Sequence, residues 1–534
     1  MLFRSFPFGQ QLYDLPQGVD NLNLLVLRLL ALFTEPATAM NVFYLLGFAA
    51  AAATSHYVLR RLGARRIVAA ATSLLYAFVP YHLLRRTGHL LLSSYAMVPI
   101  GLLFILAVMG ETPPLVADRR RWWPGIRLDR QAWWVVAGCV ALGSTGSYYG
   151  VFFGYLAVTA GFVTSLARRH ARHVWSAMIC ASITLVTMLA NTLPTILYWR
   201  SHGTNSAVFS RRAQETEEYG LRIQQLFLPR IDHRLATLGR LGYRAFGGPI
   251  YSEQGSYLGV VLAAGFILAV VAAFVNAAGG SPLRGRVGTI ANAGVVALIA
   301  MITATISGLS YLLALGGLTM IRGWNRISIE LAFIAAIALA LGLTIIVERV
   351  RFRWGARRER TALAIAIAAV LGIGWFDQTS PADGIRQTSA RRVWDNDRAF
   401  FTSMRAALPA GAAVYQFPES PFPEGGSIGQ TGLYDGARGY LFAPDLKWSF
   451  GAVLGRFPAR PVDLADWDGP RIAEFLTGQG FQAVVVDRFG YADHGVSLID
   501  RLGVLRPPEG QSGDGRYVWF TINAPGGVSA PGGG

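Results

Sequence analysis

What most constrains this chain is a succession of apolar runs, each close to bilayer-spanning length, joined by links that alternate between arginine-laden and arginine-poor. A helix needs about 20 mostly apolar residues to cross a hydrocarbon core. Such runs occupy 37–59, 67–84, 91–109, 132–147, 149–167, 175–199, 257–277, 288–312, 329–348 and 361–376. They predict a polytopic transmembrane bundle of about ten spans. Composition agrees: 53% of the 534 residues are hydrophobic and 15% charged, whereas a soluble domain carries about 25% charge. The net charge of +17 would suggest nucleic acid in a soluble protein. Here the arginines are tufts between apolar runs, which argues against nucleic acid and for membrane lipids as the surroundings.

The tufts give an orientation. Arg60, Arg61, Arg65 and Arg66 form one, and Arg119, Arg120, Arg121, Arg127 and Arg130 another. Arg168, Arg169 and Arg172, then Arg284 and Arg286, then Arg349, Arg351, Arg353, Arg357, Arg358 and Arg360 complete the set. Positive links stay in the cytoplasm. The His82–His89 turn, the Ser147–Tyr149 turn, the 200–256 loop, the Arg322–Arg326 segment and the C-terminal region are then expected on the extracytoplasmic, periplasmic side of a bacterial inner membrane. Lys447 is the single lysine, and with the abundant Ala and Gly it suggests a GC-rich bacterial genome.

The same alternation places residues 1–36 outside with no preceding span, so either the tail crosses unaided or an upstream helix is missing. The run 22–34 (NLNLLVLRLLALF), with Arg28 at its middle, is too short to span comfortably and predicts an interfacial amphipathic helix. After residue 376 Pro, Gly and polar residues become common. Strand-like AAVYQF (412–417) and AVVVD (483–487) alternate with helical stretches near 391–408 and 468–480. That pattern predicts an α/β domain over 377–523, followed by a disordered Gly/Pro-rich tail at 524–534. Cys139 and Cys180 lie inside apolar runs and suggest neither a disulfide nor a metal site.

Polar groups near span ends are the candidates for chemistry, because lipid makes them costly. Asp14 and Asp20, in PFGQQLYDLPQGVDN, could supply a general base or hold a divalent cation (Mg or Mn) beside a lipid-borne phosphate. For Asp20, helix capping fits the motif better than catalysis. In PYHLLRRTGH, Pro80 ends a span and Arg85 and Arg86 follow. Paired arginines on the outer face need a reason, and an anionic phosphate supplies one; snorkelling is the bland alternative. His82 and His89 fit interfacial packing better than zinc. ETEEYGLRIQQLFLP, with Glu215, Glu217, Glu218 and Arg222, predicts an amphipathic helix along the membrane face. In MIRGWNRISIE, Arg322 and Arg326 share one helical face beside Asn325 and suit a phosphate head group, the alternative being an Arg326–Glu330 ion pair. YDGARGY and VDRFGY, with Asp435, Arg438, Asp487 and Arg488, suit structural salt links.

PFGQQLYDLPQGVDNLN, NVFYLLGF, VLRRLGARR, LLYAFVPYHLLRRTGHLLLSSYAMVPIG, EEYGLRIQQLFLP and IRGWNRISI, with VYQFPESPFPE and LKWSFGAVLGR further on, resemble a set of bacterial membrane proteins called sugar translocases, or loosely phosphoglycerol transferases. Their architecture is similar to that of GT-C glycosyltransferases. The resemblance covers almost the whole chain. It implies a mainly α, GT-C-like bundle with an extracytoplasmic α/β domain, and inverting transfer of a sugar from a polyprenyl-phosphate donor to a cell-envelope glycan or lipid. An acidic residue of the first outer loop would be the base, a place Asp14 and Asp20 match by position, and Arg85, Arg86, Arg322 and Arg326 would contact phosphate. Relatives carry a first span and an acidic motif upstream of the PFG segment; this sequence begins where that motif would end, which would leave it inactive if the catalytic acid lay there. Two other classes compete: a flippase or transporter of lipid-linked sugar, and a non-catalytic envelope assembly factor.

Overall fold

The computed structural model describes residues 5–15, 17–117, 125–209, 211–245, 255–279, 282–381, 387–420, 422–423, 425–456 and 464–522. Arg119, Arg120, Arg121 and the 524–534 tail lie outside the described residues. The chain divides into two compact units. One comprises Pro16–Leu193 and Arg211–Asp383, the other Met1–Leu15, Pro194–Ser210 and Gly384–Gly534. The sheet-bearing unit is therefore built from three separated stretches, where the expected division ran 1–36, 37–376 and 377–523.

The first unit is helical: α1 (Asn21–Leu30), α2 (Pro36–Arg61), α3 (Arg66–Ala77), α4 (Pro80–Arg85), α5 (Val98–Met109), α6 (Arg130–Leu142), α7 (Ser147–Arg168), α8 (Arg172–Asn191), α9 (Val260–Ala278), α10 (Gly285–Ala304) and α11 (Ser328–Gln378). Among the described residues seven helical stretches are long and apolar enough to cross a membrane, not ten. The run at 91–109 yields only the short α5 and the run at 132–147 the 13-residue α6. The last two runs merge into α11, whose 51 residues would extend ~76 Å at 1.5 Å each, more than twice a bilayer core. It is broken at Gly355, where φ is +81°. Arg65 reports the reversal there: its N–H meets Thr344 Oγ1 at 3.0 Å and its guanidinium pairs with Glu359, so both arms return to one point.

Small residues set the helix spacing. A Cβ on Gly294 would stand 1.9 Å from the Ala269 carbonyl oxygen, and one on Gly265 would stand 2.3 Å from that of Ala335. Helices in lipid gain from such close approach, because packing replaces the hydrophobic drive. Pro80 does not end its span. It begins α4 after a break at Phe78–Val79, and a proline loses little at a first helical position because its missing N–H had no partner there. The run 22–34 is helical only over Asn21–Leu30.

The second unit holds a five-stranded sheet of β1 (Ala413–Phe417), β2 (Lys447–Trp448), β3 (Ala483–Asp487), β4 (Gly510–Gln511) and β5 (Tyr517–Thr521), in the order β2-β1-β3-β5-β4. β1 runs parallel to β2 and β3, whereas β5 is antiparallel to β3 and β4. Strand side chains alternate between faces. Tyr415, Phe417, Val484, Val486 and Phe520 meet Ile472 and Leu476 of α13 (Gly469–Gly478) and Leu498 and Leu502 of α14 (Val496–Gly503). Val414, Val485, Tyr517 and Trp519 meet Phe400, Phe401 and Met404 of α12 (Gln387–Ala407). The N-terminal segment continues this unit: Phe6 N–H donates to Trp448 O at 2.9 Å, and its ring lies edge-on to Phe481.

Candidate functional site

The two acidic candidates of the N-terminal segment fall in different units and different environments. Asp14, fully buried, accepts from Arg456 Nε and Nη2 at 2.7 and 2.6 Å, Asn205 Nδ2 at 3.1 Å and Trp199 Nε1 at 3.1 Å. Burial would raise its carboxyl, but the bonds from Arg456, Asn205 and Trp199 outweigh that and hold it below the usual carboxylate range. A carboxylate so occupied ties three chain segments together and is a poor base. The expected catalytic role for Asp14 gives way to a structural one.

Asp20 is different. It stands at the N-cap position of α1 but makes no side-chain cap bond, so the capping expectation fails. Instead Asn23 Nδ2 donates to Asp20 Oδ1 at 3.4 Å and to Thr145 O at 3.3 Å, while Ser94 Oγ donates to Asn23 Oδ1 at 2.9 Å. This network lays the half-buried Asp20 on the glycine–serine link before α7. Gly146 has φ of +128°, and a Cβ there would lie 3.3 Å from Asp20 Oδ1 and 3.7 Å from the Tyr149 ring. Desolvation raises the Asp20 carboxyl to about 6 against the weaker opposing pull of Asn23.

From that link a tyrosine relay leads to two arginines. Tyr149 and Tyr81 hydroxyls stand 3.1 Å apart, and the buried Arg85 places its guanidinium 4.8 Å over the Tyr81 ring. Arg326 lies 4.1 Å over the ring of Tyr148, the neighbour of Tyr149 at the start of α7. Arg85 and Arg326 are both within electrostatic reach of the Tyr81 hydroxyl, as is Glu330. Arg326 is thus stacked on a tyrosine at the start of α7, and Arg85 on the tyrosine whose hydroxyl meets that of Tyr149. Glu330 is buried with Oε2 lacking a hydrogen-bond partner. Tyr81, Tyr148 and Tyr149 were not singled out as site residues by sequence reasoning; the YY of GSYYG, in the Ser147–Tyr149 turn, was the available signal.

The remaining candidates divide. Arg86 has a left-handed φ of +50° and returns its Nε to Leu83 O at 3.3 Å, closing the end of α4. Arg322 pairs with Glu215 at 2.6 Å and lies 5.0 Å over Tyr219. Glu217 clasps Ser307, accepting from its N–H at 2.9 Å and its hydroxyl at 3.0 Å, and so holds a serine at φ +57°. The expected amphipathic helix there is instead two short turns, Glu215–Glu218 and Ile223–Leu226. Between them Leu221 N–H turns aside to donate to Ala304 O at 2.7 Å, and Arg222 Nε is buried without a partner. Asn325 is buried with its N–H on Tyr219 O at 3.0 Å. His82 is a core residue, its ring 3.7 Å from that of Phe48 and Nε2 3.3 Å from Tyr44 O, while His89 is exposed. Among the described residues no three His, Cys, Asp or Glu side chains gather to hold a metal ion.

No protein-family model matches the chain, and no curated protein is significantly similar to it.

Proposed function

We propose that the chain is a membrane glycosyltransferase of GT-C type, which moves a sugar from a polyprenyl-phosphate donor to a cell-envelope glycan or lipid on the extracytoplasmic face of a bacterial inner membrane. The observation that carries the reading is the pairing, in one helical unit, of a poised carboxylate with two aromatic-backed arginines. Asp20 is the base: it takes the proton of the acceptor hydroxyl as that oxygen attacks the anomeric carbon. The bond from that carbon to the phosphate oxygen breaks, the configuration inverts, and polyprenyl phosphate leaves with the bonding pair. Arg85 and Arg326 bind the phosphate and stabilise the charge it gains. A base with a pKa near neutrality combines the right protonation state with proton affinity, which fits Asp20 at about 6 and not Asp14. Arginine suits phosphate because its planar fork binds two oxygens at once.

The test uses the full chain in lipid with radiolabelled polyprenyl-phosphate sugar and envelope acceptors. Polyprenyl phosphate is released, and Asp20→Asn lowers the turnover by about 10² or more, whereas Arg326→Ala also weakens donor binding. Turnover rises with pH through about 6 as the carboxyl ionises, then levels, and the Asn variant loses this limb. Intact donor that moves between leaflets would mean a transporter instead. Neither cleavage nor movement would leave only an assembly role.

A further inference from the structure

At one end of the helical unit three separated stretches of chain meet. Arg286, in the first turn of α10, pairs with Glu348 at 2.5 Å. A Cβ on Gly63, between α2 and α3, would lie 3.2 Å from Arg286 Nε. Arg65, also between α2 and α3, is tied to Thr344 and Glu359 on the two sides of the Gly355 break in α11. The three stretches thus form one surface, and each brings exposed arginines to it. Arg60, Arg61 and Arg66 flank the first, Arg284 precedes the second, and six more lie between 349 and 360 at the third.

The carboxylates within reach are already used. Glu348 is held by Arg286, and the buried Glu359 is shared by Arg65 and, at 3.6 Å, Arg351. Among the described residues no ion pair reaches Arg349, Arg353, Arg357, Arg358 or Arg360, all of them exposed. Arg349 and Arg353 stand four apart on one helical face, where like charges repel. Guanidinium groups gathered this closely favour an anion from outside the chain.

Where the surface lies selects the anion. Both arms of α11, 328–354 and 356–378, are apolar until they near the break, so the arginines begin where the apolar runs end. Ile346, exposed on the first arm, is three residues from Arg349. Among the arginines, Phe352 is 93% exposed and Trp354 53%. Aromatic rings settle at the level of lipid headgroups, and basic stretches beside a spanning helix attract anionic lipid. Single-stranded nucleic acid also takes basic surfaces with aromatic rings, and depth decides against it. Arginines about one helical turn from the apolar run stand at the level of the bilayer's own phosphates, which the planar guanidinium fork grips by two oxygens.

We propose that the surface formed by the α2–α3 link, the start of α10 and the break of α11 binds the headgroups of anionic glycerophospholipids. The arginines between 349 and 360 meet the lipid phosphates, and Phe352 and Trp354 lie among the glycerol backbones. The inference rests neither on the transfer reading nor on which side of the membrane this end faces.

The test titrates the full chain, in neutral detergent, with cardiolipin, phosphatidylglycerol and phosphatidylcholine, and counts bound lipids by native mass spectrometry. Cardiolipin, with two phosphates, binds about tenfold or more tighter than phosphatidylcholine, and phosphatidylglycerol falls between them. Arg357→Gln, Arg358→Gln and Arg360→Gln together reduce that preference about tenfold or more, whereas Arg357→Lys, Arg358→Lys and Arg360→Lys together keep most of it. Arg353→Gln and Arg358→Gln singly lower it about threefold to fivefold, which keeps the test decisive should the triple glutamine variant not fold. Arg168→Gln with Arg169→Gln, an exposed pair on the separate α7–α8 link, leaves the preference unchanged. Equal loss in that pair overturns the proposal, because net charge alone would then account for binding. So does equal affinity for the three lipids, or a preference that survives the glutamine variants. Displacement of cardiolipin by an equimolar uridine oligonucleotide also overturns it and would assign the surface to single-stranded nucleic acid.

Discussion

The two aspartates of the N-terminal segment show how environment, not residue type, decides chemistry. Asp14 is committed to Arg456 by two hydrogen bonds with Asn205 and Trp199 beside it, and its role is to hold the fold. Arg456→Ala leaves a buried carboxylate uncompensated and is expected to cost about 2 kcal/mol, less than for a fully enclosed pair because the arginine reaches solvent. Chemical denaturation of the purified protein measures it. The sign with pH follows from the lowered carboxyl: the contribution is present above the ordinary carboxylate pKa and is lost as pH falls through the folded value. Asp20 runs the other way. Its raised carboxyl favours the folded state when protonated, and that advantage is lost as pH rises from about 4 through about 6.

At the scale of elements, helix contacts depend on glycines whose replacement meets backbone and not a movable side chain. Gly294 lies against the Ala269 carbonyl where α10 crosses α9. Gly294→Val is expected to lower stability by about 1–3 kcal/mol, the usual range for overpacking, seen as a reduced monodisperse fraction on size exclusion after heating. Gly372, where a Cβ meets nothing within 4 Å, supplies the control: Gly372→Ala is tolerated. The break in α11 follows the same logic. Only a residue free to take φ of +81° turns the chain inside the arginine-rich stretch, and Gly355 is that residue.

For the molecule as a whole, sidedness is the property on which the proposed chemistry depends. Cys139 and Cys180 are both buried, so single introduced cysteines can be labelled over a low background. The proposed orientation, with the arginine tufts in the cytoplasm, predicts that Ser497→Cys of α14 is labelled by an impermeant maleimide in intact cells. Thr361→Cys, beside the Arg357–Arg360 tuft, is labelled only after permeabilisation. The reverse pattern would remove the extracytoplasmic transferase reading.

Much of this molecule was legible beforehand. Apolar periodicity located the helices, because burying a backbone in lipid leaves few alternatives to a helix. Alternation and turn residues located β1 and β3 to within a residue. Less legible was whatever depends on which distant segments meet. Asp14 and Asp20 are a few residues apart, yet one joins the sheet-bearing unit and the other rests on the link before α7, a separation that no local pattern carries. The run at 91–109 was close to spanning length and the run at 132–147 somewhat short of it, and both form short helices, since apolarity sets where a segment resides and not how far it stays helical. Amino-acid order by itself determined solvent, helix positions and the places where charge is costly. Tertiary structure decided which carboxylate is spent on an arginine and which is left poised beside Gly146, because the energy of a charge depends on partners and burial that only the folded chain supplies.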